Sequence, residues 1–132
     1  MALSNRINMR GGGNQEKRRY IVKNGVQQEP FMVAYGSPTY GTSGGYFTVS
    51  ATAATHIRTE ANIDGSKYSK CVFVGYSNNV NNTGFFCAGQ TEKTIPATET
   101  MLASPTDPQA ATNYAELGMY NATIFIKDMY FE

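Results

Sequence analysis

The sequence contains no tryptophan, one histidine and two cysteines in 132 residues. Charged residues make up only 16%, where a soluble domain carries about a quarter. Each shortage excludes something. A Ser-His-Asp or Cys-His site would have to use His56, which sits mid-strand in "ATHIRTE" with Arg58 and Glu60 on the same side. The expected role of His56 is structural or at the surface. Zinc needs three or four His, Cys or carboxylate ligands together, and one histidine with no clustered cysteine does not supply them. Cys71 and Cys87 lie 16 apart among apolar residues, a spacing that fits neither a metal nor a redox C-x-x-C pair. They read as two buried small hydrophobes, with a disulfide between neighbouring strands as the alternative in an oxidising compartment. No stretch approaches the roughly 18 apolar residues of a membrane helix. The N-terminus has no apolar run, so no signal peptide is expected. No phosphate loop, dinucleotide glycine pattern or nucleophile elbow is present. Asp64, Glu60, Glu92, Glu99 and Asp107 are scattered, with no apolar surroundings to raise a carboxyl pKa for acid catalysis. Asp64 or Asp107 in a loop leaves structural calcium open. No enzyme, no cofactor and no metal site is expected.

What is plentiful is Gly, Ser, Thr and Asn, with nine Tyr and seven Phe. This is the profile of an all-β protein rich in turns. Hydrophobic alternation and turn chemistry mark the strands. "RRYIVKNGV" (18–26) ends in Asn24-Gly25, a hairpin signal. "EPFMVAYG" (29–36) is a second strand, and "SPTYGTSGG" (37–45) reads as a loop. "YFTVSATAAT" (46–55) alternates with period two; "HIRTEANI" (56–63) continues it or starts a neighbour. "CVFVGY" (71–76) and "FFCAGQ" (85–90) are compact strands around an Asn-rich loop. The prolines of residues 93–111 argue against a long regular element there, leaving a short strand near Thr94–Ile95. "TNYAELGMY" (112–120) fits a helical turn or a strand. About eight short strands at this spacing predict a single jelly-roll-like β-sandwich.

The chain ends on "TIFIKDMYFE" (123–132). Strict alternation puts Ile124, Ile126 and Tyr130 on one face and Phe125, Met129 and Phe131 on the other. One face is expected in the core and the other against a loop or a second subunit.

Charge is uneven. Residues 1–28 hold six basic groups against Glu16 alone, while residues 29–132 hold five basic and nine acidic groups. With "RGGGN" inside it, residues 1–19 read as a flexible basic arm, and residues 20–132 as the sandwich domain. Arg6, Arg10, Lys17, Arg18 and Arg19 are its candidate assembly contacts. Nucleic acid is not expected, because the arm lacks interleaved aromatics and the body has the wrong sign. Tyr35, Tyr40, Tyr46 and Tyr76 lie in or beside polar loops, where tyrosine makes a good contact for protein or sugar.

"ANIDGSKYSKCVFVGYS" (61–77) and "ATIFIKDMYFE" (122–132), about 50 residues apart, resemble the central and last strands of jelly-roll domains of the carbohydrate-binding type. Such domains occur in secreted glycoside hydrolases and in phage tail, baseplate and capsid-surface proteins. The resemblance covers residues 20–132. It implies a non-catalytic β-sandwich, although glycan-binding modules usually stack sugars on Trp or Tyr and this chain has no Trp. Two roles are expected. One is a structural protein of a virus (phage) particle, a capsid-decoration or tail/fibre component docked by its arm, located in the virion and homo-oligomeric. The other is a carbohydrate-binding module or adhesin using the loop tyrosines. A host glycan is a partner compatible with both; neither a membrane nor nucleic acid is one.

Overall fold

A computed structural model of the chain describes residues 18–59 and 62–132. Arg6, Arg10 and Lys17 lie outside the described residues, as does Glu60. The described residues form twelve strands, a single 3-10 turn and no α-helix. In chain order these are β1 (Arg19–Lys23), β2 (Val26–Gln27), β3 (Phe31–Tyr35), β4 (Thr39–Ser43), β5 (Tyr46–Ala51), β6 (Thr55–Thr59), β7 (Lys70–Ser77), β8 (Thr83–Cys87), β9 (Lys93–Thr94), β10 (Thr100–Pro105), β11 (Ala115–Met119) and β12 (Ala122–Phe131). They build two sheets facing across one core. The five-stranded sheet runs β9-β8-β11-β6-β3. The seven-stranded sheet runs β10-β7-β12-β1-β2, with β5 also paired to β12 and β4 to β5. The expected all-β sandwich is what the chain adopts.

The core is made by inward positions of both sheets. Phe73 on β7 and Phe85 on β8 meet across it with ring centroids 5.6 Å apart, and both are fully buried. Burying such a side chain stabilises the fold by about 1.5–3 kcal/mol. Cys71 and Cys87 are buried in the same core from opposite sheets, as free thiols. They are not on neighbouring strands of one sheet, as the sequence reading of a bridge assumed. Burial pushes the Cys71 thiol well above its ordinary pKa, so it behaves as a small apolar side chain.

The closing strand answers differently from simple alternation. In the pairing of β12 with β7, Ile126 faces Gly75 and Asp128 faces Val74, so Lys127 is an inserted residue. Such a bulge reverses which face the following side chains take. Met129 and Phe131 therefore join Ile124 and Ile126 in the core. Tyr130 moves to the outer face, where it meets Tyr20 at 5.0 Å. The apolar residues after the bulge, Met129, Tyr130 and Phe131, are thus buried within the chain, while Phe125 on the outer face is only partly covered.

The bulge has a docking partner. Asn24 N–H donates to Asp128 Oδ1 (2.9 Å) and Gly25 N–H donates to the Lys127 carbonyl (2.8 Å). Asn24 and Gly25 both have positive φ, at 51° and 77°, the geometry of a type I′ hairpin. A Cβ on Gly25 would sit 2.0 Å from the Gly45 carbonyl oxygen, so the turn before β2 packs directly on the turn between β4 and β5. This contact fixes β4 beside β5, in the stretch that composition had marked as loop.

β10 is a second strand that composition hid. It is an edge strand ending on Pro105, where a missing N–H costs no ladder bond.

Candidate functional site

The seven-stranded sheet carries the aromatic residues on its outer face. On β5, Phe47 and Val49 point inward, so Tyr46, Thr48 and Ser50 point outward. On β12, Ile124 and Ile126 point inward, so Thr123 and Phe125 point outward. Tyr76 is the corresponding residue on β7, and register places it directly opposite Phe125. The Tyr76 and Phe125 rings are parallel within 5° at 4.5 Å. Tyr46 meets both edge-on, 5.2 Å from Tyr76 and 6.3 Å from Phe125. All three are only half-buried.

Polar groups frame this cluster. Tyr46 Oη–H donates to Glu99 Oε1. That bond raises the Tyr46 pKa above the ordinary tyrosine value. Lys127 Nζ lies 5.6 Å from the Tyr46 ring centroid, the ammonium attracted by the electron-rich ring face. Toward the other end of the strands, Ser50 and Thr123 share a hydroxyl hydrogen bond of 2.8 Å. A half-buried aromatic cluster flanked by directional polar groups can stack a flat apolar surface and orient the hydroxyls around it.

The four tyrosines singled out in the sequence do not form one site. Tyr46 and Tyr76 belong to this cluster. Tyr40 lies on β4 and stacks on Phe31 and Phe47 at 6.3 and 5.9 Å, closing the edge of the core. Burial raises its pKa. Tyr35 is on β3 of the opposite sheet, edge-on to His56 at 6.5 Å. Phe125 and Glu99 were missed. Phe125 had been placed facing away from Ile124, yet nothing along the chain showed that Tyr46 and Tyr76 flank it.

Arg18 and Arg19, read as arm residues, are bound to the body. Arg18 Nε donates to Glu132 Oε1 (2.9 Å) and its guanidinium covers the Tyr130 ring at 4.5 Å. Arg19 grips Glu29 through two bonds of 2.8 Å and opens β1. These two side chains tie the first strand to the body. A hollow of about 750 Å³ lies nearby, lined by Lys67, Lys70 and Glu132 among others. Glu132 already pairs with Lys70 at 3.3 Å.

The outer face of the five-stranded sheet carries His56, Arg58 and Glu116. His56 Nδ1 and Glu116 Oε2 are 2.7 Å apart. The Arg58 guanidinium lies 4.6 Å from the Tyr114 ring centroid. The calcium candidates are turn residues. Asp64 Oδ1 accepts from Ser66 N–H (2.9 Å) and Oγ–H (2.7 Å), which lowers its pKa. Asp107 Oδ1 accepts from Gln109 N–H (2.9 Å). Among the described residues no three His, Cys, Asp or Glu side chains converge as a metal site.

The fold is that of family 29 carbohydrate-binding modules. A family 29 module from Piromyces equi superposes with a TM-score of 0.62 at 8% identity, covering 86% of this chain and 88% of its own. Another, described simply as a family 29 carbohydrate-binding module, gives 0.60 at 12% identity over 86% of both chains. A mutant family 29 module complexed with mannohexaose gives 0.59 at 13% identity, over 86% of this chain and 89% of that one. No protein-family model matches the sequence, and no curated protein does. At these identities the likeness speaks for the fold, and the residues of the outer face must speak for the function.

Proposed function

We propose that this protein is a non-catalytic carbohydrate-binding module whose ligand lies on the outer face of the seven-stranded sheet. The observation that carries this is the Tyr46–Tyr76–Phe125 cluster. Three large aromatic side chains stand together on a sheet face, each partly exposed to water. Covering them removes apolar area from water, worth about 25 cal/mol per Å², and the apolar face of a sugar ring has the shape to do it. The adjoining groove around Ser50, Asn78 and Thr123 has no charged side chain in its lining, which favours a neutral ligand there. The sandwich shared with carbohydrate-binding modules supports the reading.

The virion role is a different matter. It rested on the resemblance to phage domains, the lack of a catalytic constellation and the basic arm; of the five arm residues, Arg18 and Arg19 are engaged with the body, and the other three lie outside the described residues. A surface component of a virus particle that binds glycans would be compatible with this site, but no contact described here favours it.

Calorimetric titration with a panel of neutral hexasaccharides, of mannose, glucose and xylose, tests the proposal. Binding of at least one, lost in Tyr76→Ala and Phe125→Ala with folding intact, is expected. Absence of binding to every neutral glycan on a broad array would overturn it.

A further inference from the structure

The strand register defines three rows across the outer face. The first row is Thr39, Ser50, Thr123 and, just beyond β7, Asn78. Thr39 pairs with Ser50, Ser50 with Thr123, and Ile124 with Ser77, which brings Asn78 alongside Thr123. Asn78 Oδ1 accepts from Thr123 N–H at 2.8 Å. The second row is Gly41, Thr48, Phe125 and Tyr76. The third carries Ser43 and Tyr46, with Lys127 at the bulge. The rows differ in chemistry. The first is all hydroxyl and amide, the second is half aromatic and half small, and the third carries the ammonium and leads to Glu99.

In the second row, Thr48 and Gly41 continue the surface on the side of Phe125 away from Tyr76. A Cβ on Gly41 would find only Thr48 Oγ1, at 3.2 Å, within 4 Å, so nothing but that hydroxyl rises over this shelf. At the first row the surface dips into a groove of about 280 Å³. Its lining includes Ser37, Thr39, Ser50, Asn78, Asn121 and Thr123, and no lining side chain is charged. Four residues of strand separate the first row from the third, about 13 Å. That is the span of a short run of sugar rings, and one ring does not fill it.

We infer that the site takes a neutral oligosaccharide lying along β5 and β12. One ring stacks on Phe125 above the Thr48–Gly41 shelf, and the next sits in the hydroxyl-and-amide groove, where Ser50, Thr123 and Asn78 exchange hydrogen bonds with its hydroxyls. The inference rests on the carbohydrate-binding reading and goes beyond it by fixing chain direction, minimum length and charge. The groove offers no cation, so a carboxylated ring placed there loses hydration without gaining a partner. Hydroxyl partners supply direction at modest net energy each, so chain length governs affinity.

The test measures binding of the single sugar, the disaccharide and the hexasaccharide of whichever neutral series binds, together with hexamers of mannuronate and galacturonate. The proteins are wild type, Phe125→Ala, Ser50→Ala and Thr123→Val, each first checked for an unchanged melting transition. Affinity should climb from the single sugar to the longer chains. Ser50→Ala and Thr123→Val should each weaken the hexasaccharide by about fivefold and leave the single sugar unchanged. The uronate hexamers should bind at least about tenfold more weakly. If Phe125→Ala abolishes binding while both groove variants bind the hexasaccharide like wild type, the groove is not a subsite. Uronates that bind as well as neutral chains would overturn its neutrality. If no glycan binds wild type, the carbohydrate-binding reading itself fails and this inference goes with it.

Discussion

The two sheets share one core and are built from the same strand-forming residues, yet their outer faces carry opposite chemistry. On the five-stranded sheet His56 faces Glu116 at 2.7 Å and Arg58 covers Tyr114, although the buried Arg58 Nε has no hydrogen-bond partner among the described residues. On the seven-stranded sheet the central strands hold aromatics that touch each other but stay partly exposed, beside hydroxyls and amides. A charged group paired within the chain has little to gain from a neutral ligand, whereas a hydroxyl or amide with one bond made keeps further donor and acceptor capacity. An apolar ring left partly wet gains by being covered. The face that leaves its clustered aromatic rings partly wet is therefore the better candidate for recognition.

The comparison can be broken at its foundation. Phe73→Ala removes a fully buried ring that packs on Phe85 across the sheets. It should cost about 3–5 kcal/mol, measured by urea unfolding, and both faces should lose their order together. A loss confined to one sheet would show that the sandwich is not one cooperative unit. A smaller effect separates the faces. Phe125→Ala should lower oligosaccharide affinity by about tenfold or more, while Tyr35→Ala on β3, 63% exposed in the free protein, should leave it unchanged. Equal losses would move the site or spread it over both faces.

Smaller still is the charge pair on the other face. The His56 side chain is 42% exposed, so solvent screens its interaction with Glu116. Glu116→Gln should change stability by less than about 0.5 kcal/mol and glycan affinity not at all. The finest probe is Tyr46. Its hydrogen bond to Glu99 raises its pKa above 10.0, so the protonated phenol is favoured in the folded chain. That contribution is present below the unfolded value and is lost as pH rises through the folded one. In ultraviolet titration Glu99→Gln should move one tyrosine's titration down toward 10.0. An unchanged profile would place Glu99 away from Tyr46 in solution.

Much of this molecule could be read along the chain, and the failures have identifiable causes. Period-two alternation located β5, a compact apolar run located β7, and Asn24-Gly25 marked the turn between β1 and β2. β4 was hidden because "TYGTS" has no alternating apolar residues. Its pairing comes from β5 and from the turn that packs on Gly25. β10 was hidden by its prolines, which an edge position tolerates. The faces of β12 were read correctly up to Ile126 and reversed after it, because no local pattern announces an inserted residue at Lys127.

By itself the sequence determined the fold class, since sparse charge, frequent turn residues and short alternating runs permit little besides a sandwich of antiparallel strands. It also restricted the chemistry, because one histidine and two isolated cysteines leave few catalytic arrangements. The tertiary structure alone decided which aromatics meet. Tyr46, Tyr76 and Phe125 are 49 residues apart at the widest among the nearest pairs in sequence, and only β-sheet register, a property of paired strands rather than of any one segment, makes them neighbours.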